Sequence, residues 1–192
     1  MPRLNIVKES DIIRTARVAQ CEGLFDIPPT QKSQQTWALD FELPDKWNIG
    51  LIVGPSGSGK SSLLNTLYPG KVGIDFLWSK NKSILDDFPK QFTIKEILEL
   101  LSSVGFSSPP SWLRSYKALS NGEQFRVKLA RILAEQDGVA VIDEFTSVVD
   151  RTVARIASAA FQKTIRKRQR RAVLASCHYD IIIPLDKVFE LY

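Results

Sequence analysis

Apolar positions along the chain fall into two kinds of run. Ile49-Gly50-Leu51-Ile52-Val53, Val139-Ala140-Val141-Ile142 and Ala172-Val173-Leu174-Ala175-Ser176-Cys177 are uninterrupted. Such short runs suit strands covered on both faces, as in a parallel sheet. Elsewhere the apolar residues recur at helical spacing. Ile94, Ile97, Leu98 and Leu101 share one face, with Lys95, Glu96 and Glu99 opposite and Gly105 placed to stop the helix. Phe125, Leu129, Ile132 and Leu133 form a second apolar face, from which Arg126, Lys128 and Arg131 are expected to point away, and Val153, Ile156, Ala157, Ala160 and Phe161 form a third. Strand, helix and strand alternate through this half, which predicts βαβ units with right-handed crossovers.

The first third is less regular. Arg17 to Phe25 reads as a strand, Pro28-Pro29 and Thr30 to Gln35 as a loop, and Thr36 to Leu43, ending at Pro44-Asp45, as a second strand. Val72 to Trp78 suits a further short strand, and Ser83-Ile84-Leu85 is a brief apolar rise before Asp86-Asp87. Ser107-Ser108-Pro109-Pro110 reads as a loop, with Trp112-Leu113 anchoring its far end.

The joints between these elements carry the chemistry. Gly54-Pro55-Ser56-Gly57-Ser58-Gly59-Lys60-Ser61 fits G-x-x-x-x-G-K-S/T and lies between an apolar strand and the helix opening at Ser62-Leu63-Leu64. A loop of this kind turns successive backbone N–H groups toward one point, and the following helix adds its positive end. The expected guest is a polyphosphate, with Lys60 on the β- and γ-phosphates and Ser61 on Mg²⁺. At the end of a second strand stand Asp143 and Glu144, a pair able to hold a metal and a nucleophilic water. Ser120 and Glu123 have the S-x-x-E spacing of a capping box, which sets the start of the Phe125 helix. His178, the only histidine, follows the last buried run.

Composition narrows the picture modestly. At 192 residues, 44% hydrophobic and 24% charged, the chain suits one globular domain, 1–192, with a small helical subdomain at about 80–118. No apolar run approaches the roughly 20 residues of a bilayer span, so no direct membrane insertion is expected. Cys21 and Cys177 have no metal-ligand spacing, and Cys177 reads as a small buried residue; a reducing cytoplasm is the expected location. The formal charge of +5 is local: Lys163, Arg166, Lys167, Arg168, Arg170 and Arg171 contribute six positive charges, and subtracting them from +5 leaves −1 for the rest.

Taken in order, the phosphate loop, Leu119-Ser120-Asn121-Gly122-Glu123-Gln124 with Arg126 and Ala130-Arg131 behind it, Asp143-Glu144 and His178 resemble the ATP-binding cassette (ABC) ATPase family from about Trp37 onward. The resemblance implies an α/β P-loop NTPase fold: a mostly parallel central sheet flanked by helices, an antiparallel β edge and a reduced helical subdomain. It implies ATP and Mg²⁺ as ligands. Gly54 through Ser62 would hold the phosphates, Ser61 and Asp143 the metal, Glu144 the attacking water, and His178 the γ-phosphate. Ser120, Asn121, Gly122 and Glu123 would close on the nucleotide of a second copy in a head-to-tail, ATP-dependent homodimer, and Asp150, in Ser147-Val148-Val149-Asp150, would lie at the dimer seam.

Two places depart from the family pattern. The glutamine expected before the helical subdomain is replaced by Asp86 or Asp87, with Asp86 taken as a metal contact, while Gln91 falls too near the helix. An aromatic residue is expected to stack on adenine; Phe25 and Trp37 are both candidates, and Phe25 is preferred as the end of the first strand. The stretch from Ser61 to Leu119 is also shorter than in transporter members. A non-transporter ATPase acting on nucleic acid or on a protein complex is therefore the leading expectation. The alternatives are the nucleotide-binding subunit of a transporter with a membrane partner, and a nucleotide-dependent interaction module with little turnover.

Overall fold

A computed structural model describes residues 3–40, 46–73, 76–147, 149–178 and 187–190. Its contacts divide the chain into two units, 1–42 and 43–192.

In the first unit, β1 (Arg3–Asp11) pairs antiparallel with β2 (Lys32–Asp40), in register from Arg3 opposite Asp40 to Asp11 opposite Lys32. Between them lies α1 (Ala16–Leu24), whose first turn is capped by the Thr15 hydroxyl accepting from the Val18 N–H. This corrects the strand expected at Arg17 to Phe25. No residue of α1 is buried, so the helix has no apolar stripe for periodicity to reveal. Phe25 ends the helix instead of a strand, its N–H on the Cys21 carbonyl and its side chain 72% exposed. β2 starts at Lys32, inside the segment read as a loop. Its polar start is set by cross-strand pairing with Lys8 to Asp11, not by hydrophobic alternation. Residues 41–43, expected to finish that strand, lie outside the described residues.

The second unit contains a parallel sheet in the order β4-β5-β3-β6, made of β3 (Ile49–Val53), β4 (Val139–Ile142), β5 (Arg171–Ser176) and β6 (Lys187–Glu190). Every residue of β3 is buried. The sheet carries α2 (Lys60–Leu67), α3 (Ile94–Ser103), the single turn α4 (Pro109–Trp112), α5 (Asn121–Glu135) and α6 (Arg151–Lys167). Its core joins Ile49 and Leu51 of the sheet to Leu101, Phe125, Leu129 and Phe161 of the helices. Burying each such side chain contributes about 1.5–3 kcal/mol relative to exposure.

The α3 and α5 helices form where the apolar spacing places them. Each starts with a capping box, Thr93 with Glu96 and Ser120 with Glu123. The third apolar face is narrower than expected: Ala157 and Phe161 are buried, but Ile156 is 54% exposed.

Between α2 and α3 the expectations fail. No strand forms among the described residues of Val72 to Trp78, and Ile84–Asp87 is a 3-10 helix capped by the Ser83 hydroxyl. The reason lies partly in Arg131, which turns inward and is 7% exposed. Its guanidinium lies over the rings of Phe76 and Trp78 at 4.4 and 4.6 Å and donates to the Leu77 carbonyl, while Trp78 stacks on Tyr116 at 4.2 Å. Residues 76–78 thus spend their rings and one carbonyl on a buried cation. Trp112 does anchor its turn, through its indole N–H on the Phe106 carbonyl, whereas Leu113 is 72% exposed.

Candidate active site

The sheet brings three of the singled-out segments to one edge. Val53 pairs with Ser176 and Ile142 with Leu174 in parallel register, so Gly54, Cys177 and Asp143 leave β3, β5 and β4 at the same carboxyl end. The Phe145 N–H continues the pairing by donating to the Ala175 carbonyl at 2.7 Å. Ligands of open α/β sheets bind at this edge.

Gly57 and Gly59 in the phosphate loop have φ of 83° and 89°, values that glycine adopts without a Cβ penalty. A Cβ on Gly57 would meet no atom within 4 Å, so the loop is open there. Gly59 is also the N-cap of α2, and no side chain caps that helix. Its first-turn N–H groups are left for another acceptor. The Lys60 side chain is buried and its ammonium donates to the Gly54 and Pro55 carbonyls, both at 2.7 Å. The Ser58 hydroxyl is buried with no hydrogen-bond partner. Pro55, Ser56 and Ser61 are exposed, and Ser62 is half-buried. An uncapped helix start, an orphaned hydroxyl and a lysine held on its own loop fit a polyphosphate chain.

Beyond β4 the backbone is strained. Glu144 and Thr146 have φ of 49° and 69°, a left-handed conformation that costs non-glycine residues energy and clusters at functional sites. The Asp143 carboxylate accepts the Glu144 N–H at 2.9 Å, and the Ser147 N–H and hydroxyl both donate to the Glu144 carbonyl. These bonds hold the turn and leave Glu144 exposed beside a half-buried Asp143. A cleft of about 210 Å³ opens next to them, lined by Phe125, Val141, Asp143, Glu144 and Ser147 among others.

No cluster of three or more His, Cys, Asp or Glu side chains that could hold a metal occurs among the described residues. Mg²⁺ binds through one or two carboxylates and keeps water and phosphate oxygens as its other ligands, so that absence does not bear on it. Of the residues expected to hold it, Ser61 is exposed at the α2 start and Asp143 half-buried at the end of β4. Asp86, taken as a metal contact at a strand end, sits exposed on the 3-10 helix instead, and Asp87 accepts from the N–H and hydroxyl of Ser79.

His178 is half-buried just past β5, its N–H donating to the Ser176 hydroxyl at 3.0 Å. Its neighbour Cys177 is exposed, not buried as expected.

The other helix start is finished from within. The Ser120 N–H and hydroxyl donate to the Glu123 carboxylate at 2.8 and 2.9 Å, and the Ser120 hydroxyl accepts the Glu123 N–H at 3.4 Å. Burial alone would raise the Glu123 carboxyl. Hydrogen bonds from Ser111 and Ser120 and the nearby Arg126 outweigh burial and hold it below the usual glutamate range. Gln124 donates to the Tyr116 and Leu119 carbonyls, while Asn121 is exposed. Asp150 caps α6, accepting from the Thr152 and Val153 N–H groups at 2.9 and 3.0 Å. Val148, inside that expected seam segment, lies outside the described residues.

One feature went unread in the sequence and another was misplaced. The first is the orphaned Ser58 hydroxyl, which no pattern announces. The other is Arg126, expected to point away from the apolar face but half-buried over the Phe106 ring at 5.7 Å, where Glu123 and Asp150 favour its charge against burial. The i, i+3 spacing of Glu123 and Arg126 was its available signal.

No protein-family model matches the chain. It is 30% identical over 118 residues to the ribosome protection protein VmlR of Bacillus subtilis, an alignment covering 52% of this chain and 21% of that protein. It is also 30% identical over 152 residues to the hemin import ATP-binding protein HmuV of Pseudomonas aeruginosa, covering 58% and 59%. The chain thus spans less than two thirds of the length of either. Among solved structures it is similar to the dimeric bacterial ABC transporter cassette MJ0796, with a TM-score of 0.62 at 18% identity over 78% of this chain and 83% of the other.

Proposed function

The chain belongs to the ATP-binding cassette ATPase family as a nucleotide-binding domain, and from that premise we propose that it binds Mg-ATP, closes head to tail on a second copy around it, and hydrolyses it to drive a conformational change. The reading rests above all on the two helix starts of the 43–192 unit. One, at Lys60, is uncapped and follows a phosphate loop; the other, at Ser120, is a finished anion-attracting turn with no phosphate loop of its own.

In this account the loop N–H groups and the Ser58 hydroxyl take the phosphate oxygens, and Lys60 exchanges the Gly54 and Pro55 carbonyls for the β- and γ-phosphates. Ser61 and Asp143 hold Mg²⁺, which when bound neutralises charge on the phosphate oxygens. Glu144, turned outward by its left-handed backbone, orients water and takes its proton. His178 reaches the γ-phosphate from the end of β5. From the second copy, Ser120, Asn121, Gly122 and Glu123 bring the α5 start onto the same phosphate, with Asp150 at the seam.

The motor's output is placed outside membrane transport, on nucleic acid or a protein complex. The support is the small helical region, where α3 is the one helix of more than a single turn between α2 and α5 among the described residues. No helix among them is long and apolar enough to cross a membrane. Similarity to a ribosome protection protein fits this output, while similarity to a hemin import ATP-binding protein favours the second reading, a transporter subunit. The test is Glu144→Gln in size-exclusion chromatography. With Mg-ATP it is expected to run as a dimer and without it as a monomer, and a persistent monomer contradicts the proposal. Capture of partners by the ATP-trapped variant then separates the outputs, since recovery of a membrane subunit supports the second reading.

A further inference from the structure

The start of α5 sits against the start of α6. A Cβ built on Gly122 would stand 3.1 and 3.4 Å from the two γ-methyls of Val153 and 3.6 Å from a terminal nitrogen of Arg126. Val153 cannot swing aside easily. It is β-branched, in the first turn of α6, with its N–H held at 3.0 Å by the Asp150 carboxylate. On the α5 side the Ser120–Glu123 capping box is equally fixed. Arg126 lies beside Gly122: burial disfavours its charge, Glu123 and Asp150 favour it, and its Nε is buried without a partner. Two helix starts with like dipole ends are thus brought together by a glycine that lets them touch, beside an arginine whose charge both capping acids favour.

We infer that Gly122 is a positioning residue within its own chain: by allowing α5 to seat on Val153 it locks the Ser120 turn to the Asp150 cap, so that both meet a second copy as one piece. This rests on the head-to-tail dimer proposed above. In that dimer the expected role of Gly122 is a contact with the nucleotide of the other copy. The contact with Val153 gives the glycine a second reason to be there, and the two reasons respond differently to a change in Val153.

The experiment is a double-mutant cycle in the Glu144→Gln background, with Gly122→Ala, Val153→Ala and the pair. Dimer formation is titrated with Mg-ATP by sedimentation, and ATP affinity of the monomer is read separately with a fluorescent ATP analogue. Gly122→Ala is expected to raise the ATP concentration needed for dimerisation by about tenfold or more, a change of about 1.4 kcal/mol, within the usual range for contacting residues. Analogue binding stays within about twofold, because that site is the phosphate loop. Val153→Ala alone loosens the seat and is expected to raise that concentration by no more than about threefold, and the pair, in which the added methyl fills part of the space Val153 leaves, returns to within about threefold of the parent. A destabilised fold would lower analogue binding as well, and unchanged binding rules it out. If the parent dimerises and Val153→Ala gives no rescue, the glycine serves the other copy's nucleotide and this inference is overturned while the dimer stands. If the parent stays monomeric with ATP, the dimer fails and this inference falls with it.

Discussion

The two helix starts at Lys60 and Ser120 are built in opposite ways. The α2 start has a left-handed glycine as its N-cap, no side-chain cap, and a buried lysine resting on two loop carbonyls. At α5 the serine and glutamate answer each other in a closed capping box. A helix start without a cap leaves up to four N–H groups to be satisfied from outside, whereas a capped one keeps its shape without help. The first is therefore organised around a guest, and the second is a preformed surface. The distinction matters for the proposed shared site, because only one of its two halves would have to reorganise on nucleotide binding.

Removing the lysine should break the comparison most severely. Lys60→Ala deletes charge-assisted contacts worth about 1.5–3 kcal/mol each. Mg-ATP affinity, measured by calorimetry, should fall by about a hundredfold or more, with the melting profile of the α5 region little changed. Gly59→Ala forces an L-residue into φ 89° and should lower unfolding stability by about 1–2 kcal/mol in denaturant titration. It should also weaken nucleotide binding, because the α2 start shifts.

On the capped side the effects are smaller and of another kind. Ser120→Ala should cost about 1 kcal/mol of stability and weaken ATP-driven dimerisation, with nucleotide affinity of the monomer unaltered. The smallest effect concerns pH. The Glu123 carboxyl is held below its ordinary value of 4.5. Its stabilising contribution is thus present above that value and lost as pH falls through the lower folded-state value. Glu123→Gln should flatten the acid limb of the stability–pH curve below pH 4.5 without removing it, because Glu96, exposed in the other capping box, is lowered by its hydrogen bonds to Thr93 in the same direction. An acid limb unchanged in Glu123→Gln would contradict this assignment.

Legibility in the sequence followed burial. The β3, β4 and β5 strands, α3, α5 and the phosphate loop were readable because uninterrupted apolar runs or strict spacing encode them, and the 120–123 box was readable because S-x-x-E is local. The same local signal at Thr93 and Glu96 was present and unread. What escaped depends on contacts far apart in sequence or on the absence of burial. Arg131 looks like a surface cation until residues 76–78 close over it, α1 has no buried face to leave a period, and Lys32 enters a strand only because Asp11 lies opposite. The basic stretch from Lys163 to Arg171 is a similar case. Read as a charged patch, it contains Arg170, whose guanidinium donates to the Leu133 and Gln136 carbonyls at the end of α5, and Arg171, which lies over the Trp47 ring at 5.2 Å. Cations at the carboxyl ends of helices account for much of it. At the site itself, the left-handed turn at Glu144 and the partnerless Ser58 hydroxyl are conformational facts that residue types alone do not disclose.

In the proposed dimer one nucleotide is held by the Lys60 loop of one copy and the Ser120 turn of another. Mixing two inactive variants tests it most directly. Lys60→Ala and Ser120→Arg should each lack steady-state ATPase activity alone, and a pre-equilibrated equimolar mixture should recover about a quarter of wild-type activity, since half the symmetric pairs are mixed and each mixed pair rebuilds one of two sites. A mixture no more active than its components would contradict the shared site.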